Sequence, residues 1–229
     1  MFSMLYDTKV SSKYVSNRNL VYKGRCFKES LTLVCKASTK LHENCCTFDP
    51  RHPAMKEEQV ILVNANDEPI GLMNKLEAHE KAVLHRAFSV FVLNDKNEVM
   101  LQQRAHHKYH SPLLWTNTCC SHQRAGETNI QAGKRRLEEE MGFVTELKEL
   151  FHFIYKAPFD NGLTEHELDH VMIGYYNGEP AINPEEVEGW KWMDIEAIRE
   201  DMKNHPEIYT VWFKIIFDEF YHYLEDHKL

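Results

Sequence analysis

Six short apolar runs of strand length, separated by polar turns and helical segments, constrain the fold of this chain most strongly. Asn, Asp and Gly mark turns between the runs, as at Asn94-Asp95-Lys96-Asn97 and Asp160-Asn161-Gly162, and turns of this composition join strands. We predict strands at residues 60–63, 87–93, 99–103, 147–157, 166–176 and 190–193.

Three helical segments lie among the predicted strands. Thr128 can cap a helix that runs to about Met141, and Gly142 can end it, because Gly tolerates the left-handed conformation at a helix end. Asp194 can cap a second helix, and residues 211–224 have the pattern of a final amphipathic helix. Mixed strands with interspersed helices and no internal repeat predict an α+β or α/β protein.

The composition fits one core and argues against two classes of partner. The 229 residues are 43% hydrophobic, which is enough for one substantial core with at most an appendage. The net charge of −8 argues against a nucleic-acid partner. Because no apolar stretch approaches the roughly 20 residues that span a bilayer, we also expect no membrane partner.

Residues 1–54 differ from the rest of the chain in charge and in pattern. They hold nine Lys or Arg and four Asp or Glu, a charge of +5, whereas the remainder carries −13. They lack a sustained apolar pattern, so we predict a disordered or accessory extension, dispensable for folding, ahead of one domain at residues 55–229. Natural initiation at Met55 and a transit peptide are alternative interpretations, although no Arg-rich amphipathic helix is visible.

The cysteines indicate a reducing environment. Four of the six occur as the adjacent pairs Cys45-Cys46 and Cys119-Cys120, which are poor material for a disulfide framework. The C-x-x-C spacing of structural zinc sites is absent. We therefore expect a cytoplasmic location, and one cysteine of the second pair is interpreted as either a packing residue or a reagent.

Several imidazoles and carboxylates have the donor types of a mixed nitrogen and oxygen metal site. Glu165 and Glu167 lie two residues apart at the start of a predicted strand, so both carboxylates face one side. Paired carboxylates repel each other and need a cation, a shared proton or solvent. With three histidines they suit Mn²⁺, Mg²⁺ or Zn²⁺, while surface histidines and solvated acids are the alternative. The histidines are His79, His85 and His122.

Basic residues near one glutamate suggest a phosphate site. Arg135 and Arg136 each precede a glutamate by four residues on the predicted helix, which is typical of ion pairs on a solvated face. Glu140 also flanks the predicted apolar stripe, where a carboxylate near arginines could hold Mg²⁺ against a phosphate. Arg104 and Lys108 add candidate phosphate donors.

Three stretches taken together resemble the type 1 isopentenyl-diphosphate isomerases: Leu84-His85-Arg86-Ala87-Phe88-Ser89, Trp115-Thr116-Asn117-Thr118-Cys119-Cys120-Ser121-His122 and Glu165-His166-Glu167. The similarity covers about residues 57–214 and implies a Nudix-like α+β fold, an α/β/α sandwich in which a mixed sheet packs between helices. Residues 135–142 also resemble a degenerate Nudix box. Arg136 stands where hydrolytic boxes carry a metal-binding glutamate, which points away from hydrolysis.

The resemblance implies metal-dependent interconversion of isopentenyl and dimethylallyl diphosphate through a carbocation, for isoprenoid biosynthesis. It assigns one Mn²⁺, Mg²⁺ or Zn²⁺ to His79, His85, His122, Glu165 and Glu167. It assigns a Mg²⁺ that bridges the diphosphate to Glu140 and the backbone carbonyl of Cys120. The residues implied to bind phosphate are Lys75, Arg104, Lys108 and Arg136.

The resemblance also implies which residues transfer protons and which one stabilises the carbocation. Cys120 and Glu167 would be the proton-transfer pair, with Tyr155 hydrogen-bonded to Glu167. The indole face of Trp212 would stabilise the carbocation without acting as a nucleophile.

Two other interpretations stay open from the residues alone. A Nudix hydrolase would release phosphate or a nucleotide from a nucleoside diphosphate derivative. A non-catalytic metal-binding module would use the His and Glu cluster for folding only. On the preferred interpretation we expect a small isoprenyl diphosphate as the partner, and a monomer or weak homodimer.

Overall fold

The computed structural model describes residues 58–108, 110–159 and 161–227. The predicted extension at residues 1–54 lies outside the described residues. In the described part, no helix is long and apolar enough to cross a bilayer.

The described residues form one mixed sheet and four α-helices. The strands are β1 (Gln59–Val63), β2 (Pro69–Asn74), β3 (His85–Leu93), β4 (Glu98–Arg104), β5 (Trp115–Thr116), β6 (Cys119–Ser121), β7 (Leu147–Pro158), β8 (Thr164–Tyr175) and β9 (Val187–Asp194). The helices are α1 (Lys75–Glu80), α2 (Asn129–Met141), α3 (Ile195–Asn204) and α4 (Val211–His227), with a 3-10 turn at Pro206–Ile208. All six predicted strands and all three predicted helices are present, whereas β2, α1, β5 and β6 were not predicted.

Strand β3 occupies the middle of the sheet. β8 runs parallel to it over its whole length, with Glu167 opposite His85 and Tyr175 opposite Leu93. β1, β6 and β4 pair antiparallel with successive parts of β3, so they share its other edge. Side chains from β6 and from β8 can therefore reach the same region from opposite sides of β3.

Helices cover both faces of the sheet, which confirms the predicted layering. Phe91 and Leu93 of β3 pack in one core with α3 and α4. Phe88, Val90 and Val92 point to the opposite face and pack in a second core with α2. Since residues on a strand alternate between faces, a continuous apolar run is what a strand buried on both faces requires.

Helix α2 begins and ends where the sequence predicts. The Thr128 side chain and Gln131 form a capping box at its start. Gly142 ends it with a φ of 70°, and a Cβ at this position would lie 2.2 Å from the carbonyl oxygen of Ala181. Only glycine fits both the conformation and the close approach, so the helix terminates just beyond Glu140.

Candidate active site

A pocket at one end of β3 collects most of the residues singled out in the sequence. Its lining includes Lys75, His79, Arg104, Lys108, Cys120, His122, Arg136, Glu140, Tyr155, Glu165, Glu167 and Trp212. His85 lies wholly buried behind this lining, directly opposite Glu167 in the sheet. Seven elements besides β3 contribute side chains to this lining, namely α1, β4, β6, α2, β7, β8 and α4.

The three histidines and Glu167 form one compact cluster. One donor atom from each of His79, His85, His122 and Glu167 can be chosen so that all lie within 4.8 Å of one another. Glu165 joins from the side, since its carboxylate lies 3.0 Å from Nε2 of His79. This set offers imidazole nitrogens and carboxylate oxygens around one point, so it could hold a divalent metal ion.

Two features of the cluster favour a metal over a purely structural role. Nε2 of His85 is buried without a hydrogen-bond partner in the structure and lies 3.5 Å from a Glu167 oxygen. Nδ1 of His85 lies 2.8 Å from the carbonyl oxygen of Val83, and a ring nitrogen held in this way directs the other nitrogen toward a ligand. This buried nitrogen has only a long contact with a carboxylate, and a cation bound between the two groups would explain the arrangement.

The protonation of the cluster is set by burial and by close partners. Burial opposes charge on His79, but the hydrogen bond to Glu165, the charges of Glu165 and Glu167 and the hydrogen bond to the Lys75 carbonyl together outweigh it and raise the pKa of His79. Burial, followed by the neighbouring charge of Glu167, raises the pKa of Glu165. Although burial acts against it, the adjacent His85 lowers the pKa of Glu167 to about 2. The pKa values of the two carboxyl groups thus shift in opposite directions, as expected for acids that share one site.

Cys120 and Glu167 flank β3 from its two edges. Cys120 pairs with Ser89 on one edge, and Glu167 pairs with His85 on the other. His85 and Ser89 are four residues apart on one strand and share a face, so the thiol and the carboxylate point to the same side of the sheet. Tyr155 of β7 donates a 2.6 Å hydrogen bond to Glu167.

Cys119 and Cys120 have different environments. Cys119 is wholly buried in the core beneath α2, whereas Cys120 lines the pocket. The sequence left open whether a cysteine of this pair is a packing residue or a reagent; burial in the core makes Cys119 a packing residue, and its place in the pocket lining leaves the second role to Cys120. Burial and, to a smaller degree, Glu140 raise the pKa of the Cys120 thiol to about 12, so the thiol is protonated at neutral pH.

The basic lining residues already have acidic or carbonyl partners. Lys75 lies 3.0 Å from Glu58, Lys108 forms an ion pair with Glu186, and Arg136 lies 2.6 Å from Glu140. Arg104 differs, because its partners are backbone groups: it donates hydrogen bonds of 3.2 Å to the carbonyl oxygens of His110 and Ser111 in the loop after β4.

Aromatic side chains form part of the pocket wall around Trp212. Trp212 at the start of α4 is 4% exposed. Its ring meets His110 edge to face at 5.6 Å and Phe159 at 6.1 Å. The Arg104 guanidinium lies 5.1 Å from the indole centroid, which shows that a cation fits against this face.

Sequence reasoning missed two residues at this site. Asp169 continues the period of two from Glu165 and Glu167 and is 1% exposed. Burial and the neighbouring Glu167 raise its pKa well above the ordinary value. The alternation in the sequence was a sufficient signal for it. Phe159 carried no such signal, since it lies in a turn.

Comparison with known proteins identifies the family. Residues 83–213 match the family model of the NUDIX domain. The chain is 47% identical over 162 residues to isopentenyl-diphosphate Delta-isomerase 2 of Aromatoleum aromaticum, a match covering 71% of this chain and 86% of that protein. The chain belongs to the isopentenyl-diphosphate Delta-isomerases. A second such isomerase, from Photorhabdus laumondii, is 49% identical over 160 residues, covering 70% of this chain and 90% of the relative.

Solved structures support the NUDIX fold of this isomerase family member. A Deinococcus radiodurans protein superimposes with a TM-score of 0.60 at 20% identity, covering 71% of this chain and 98% of its own. A MutT protein from Methanosarcina mazei gives 0.51 at 14% identity, with 64% and 96% covered. At these identities the likeness concerns the fold alone.

Proposed function

We propose that this chain interconverts isopentenyl diphosphate and dimethylallyl diphosphate, and so supplies isoprenoid biosynthesis. The observation that carries the proposal is the approach of Cys120 and Glu167 from opposite edges of β3 to one side of the sheet. Shifting a double bond requires one proton to be added and another removed nearby, and two acid–base groups in one pocket meet that need.

The proposed reaction conserves every atom. One group of the pair gives a proton to the terminal alkene carbon, which leaves a tertiary carbocation at the adjacent carbon. The other group takes a proton from the carbon on the diphosphate side, and the electrons of that C–H bond form the new double bond. Tyr155 holds Glu167 by a 2.6 Å hydrogen bond and supports its position during transfer.

The residues that would hold a divalent metal are the three histidines with Glu167 and Glu165. The unpaired Nε2 of His85 and the close grouping of donor atoms fit such an ion. When bound, Mn²⁺, Mg²⁺ or Zn²⁺ would neutralise the two carboxylates and fix Glu167 in one protonation state. His122 suits a ligand role, because burial and then Lys75 lower its pKa well below the ordinary value and keep it neutral.

The diphosphate end of the substrate would bind to Lys75, Arg104, Lys108 and Arg136. Glu140 is 4% exposed, lines the same pocket and contacts Arg136 and Gln102; its carboxylate would hold a Mg²⁺ that supplies countercharge to the diphosphate. In a hydrolytic NUDIX box a glutamate stands at the position of Arg136. Here a cation neutralises Glu140 instead, which favours holding an intact diphosphate.

Incubation with isopentenyl diphosphate in D₂O tests the proposal directly. We expect deuterium to enter the carbon skeleton, measured by mass spectrometry, with no release of phosphate. Phosphate or nucleotide release from a diphosphate substrate would instead support a hydrolase. If neither deuterium incorporation nor phosphate release occurred, the result would support a metal-binding module without turnover.

Removal of metal is expected to abolish turnover and to lower the melting temperature, and Mn²⁺ should restore both. The restoring effect should weaken as the pH falls, and should do so at a higher pH than for an ordinary histidine, because the raised pKa of His79 lets protons compete with the metal earlier. His79→Ala should lose the metal-dependent rise in melting temperature. His152→Ala, on the exposed side of β7, is the matched control and should keep it.

The substitution series Trp212→Phe and Trp212→Leu is expected to lower kcat in that order, with little change in KM. Phe keeps an aromatic face with a weaker attraction for positive charge, and Leu keeps only an apolar wall. A fall in kcat at constant KM marks an interaction made mainly in the transition state. Equal rates for Phe and Leu, together with lower stability, would reduce Trp212 to a packing residue.

We also propose that residues 1–54 are dispensable, since they contain none of the proposed site residues. A chain that starts at Met55 should melt within a few degrees of the full chain and turn over substrate at the same rate. A severalfold loss of rate would contradict this.

A further inference from the structure

The Thr116 side chain lies wholly buried beside Trp212 and has no role in the chemistry described above. Nε1 of the indole donates a 3.1 Å hydrogen bond to Oγ1 of Thr116. An indole has one N–H and no acceptor, so this bond uses its entire hydrogen-bonding capacity. The environment on the ring side is aromatic, as described for the pocket wall.

The proton of the Thr116 hydroxyl has a fixed direction. The side-chain amide nitrogen of Asn117 donates to the carbonyl oxygens of Cys119 at 2.7 Å and Val90 at 3.3 Å. The amide oxygen of Asn117 must therefore face Thr116, and it accepts the Thr116 hydroxyl proton over 2.9 Å. Because a hydroxyl has a single proton, Thr116 can only accept a hydrogen bond from the indole.

The same hydroxyl also fixes the start of helix α4. Thr210 donates to Oγ1 of Thr116 over 3.3 Å, and its own oxygen accepts from the backbone N–H of Phe213. Both lone pairs of Thr116 are thus used, one toward the Trp212 ring and one toward the helix start. The Thr116 hydroxyl thus holds the Trp212 ring at its nitrogen and, through Thr210, the first turn of the helix that carries it.

We propose that Thr116 is a positioning residue that fixes the Trp212 indole and increases the electron density on its face, with Asn117 setting the direction of the hydroxyl. A hydrogen bond accepted from the N–H draws the proton away from the ring and leaves the ring more negative, which strengthens its attraction for a cation. The proposal rests on the proposed function, because it matters only if positive charge develops against the indole.

Thr116→Val tests the proposal, since Val has nearly the same shape and no acceptor. We expect kcat for isopentenyl diphosphate to fall by about tenfold with little change in KM, and Thr116→Ser to retain most of the wild-type rate. Thr118→Val is the matched control. Thr118 is equally buried and bonds the backbone of Val92 and Met100, so the variant loses comparable stability but should keep its kcat.

A double-mutant cycle separates positioning from general stability. In a Trp212→Phe background there is no N–H, so adding Thr116→Val should change kcat by less than about twofold. An equal fall in both backgrounds, or a full rate for Thr116→Val in the wild-type background, would overturn the proposal. The metal-loaded full chain is used throughout.

The two proposals fail in different ways. A wild-type chain that incorporates no deuterium from D₂O would overturn the proposed function and, with it, the role of Thr116. An active wild type whose Thr116→Val variant is equally fast would overturn the role of Thr116 alone. The NMR resonance of the indole N–H should move upfield in Thr116→Val but not in Thr118→Val, which confirms that the hydrogen bond was removed in the variant assayed.

Discussion

The Glu167→Gln variant is expected to turn over isopentenyl diphosphate at least about a hundredfold more slowly than the wild type while folding normally. Gln has the same shape and can still accept the 2.6 Å hydrogen bond from Tyr155, but it cannot carry a proton between substrate and solvent. Steady-state rates and circular dichroism of the metal-loaded protein measure the two effects.

Glu165→Gln is the control that separates proton transfer from metal binding. Both glutamates belong to the proposed metal site, but only Glu167 contacts Tyr155 and pairs with His85 across the sheet. Excess metal should rescue much of the rate of Glu165→Gln and little of the rate of Glu167→Gln. Equal rescue of both would reduce Glu167 to a metal ligand.

Cys120→Ser is expected to lose activity by a similar factor, because a serine hydroxyl is a far weaker acid than a thiol. The substitution changes the side-chain volume little, so the variant should fold normally. The Cys120 thiol is protonated at neutral pH, since burial raises its pKa to about 12, and in this state it can donate a proton. Cys119→Ser is the neighbouring control, since Cys119 is buried in the core on the other face. It should lose some stability and little rate.

Near-wild-type turnover by Cys120→Ser would remove the thiol from the proton-transfer pair. If Cys119→Ser lost as much rate as Cys120→Ser at equal melting temperature, the two faces of β6 would not be chemically distinct.

Long elements were predictable from the sequence because both their patterns and their ends are marked. Helix α2 has a capping box at Thr128 and a glycine at its end, and the run from Ala87 to Leu93 is apolar because both faces of β3 are covered. β2 contains Gly71 and is mostly exposed, so it shows no apolar alternation. α1 has six residues, which is too short for a helical period to be visible.

Part of the site was predictable because the alternation of side chains along a strand is visible in the sequence. The period of two in β8 indicates that Glu165 and Glu167 share a face, and the same rule extends to Asp169. Spacing alone only suggested the grouping of His79, His85 and His122, and the family resemblance assigned them to one metal, because α1, β3 and the end of β6 meet only in three dimensions. Likewise the hydrogen bond from Trp212 to Thr116 joins residues 96 positions apart, which no local pattern reveals.

The ion pairs that line the pocket have a consequence for anion selectivity. Lys75, Lys108 and Arg136 are each compensated by a glutamate before any substrate arrives, so these three side chains add little net attraction for small anions. Inorganic phosphate would have to displace internal carboxylates and would gain little from doing so. On the proposed function, a Mg²⁺ that accompanies the diphosphate would supply countercharge for Glu140, and Arg136 would then be able to contact a phosphate oxygen. On the proposed function, such a pocket would discriminate against inorganic phosphate and favour a diphosphate bound with Mg²⁺.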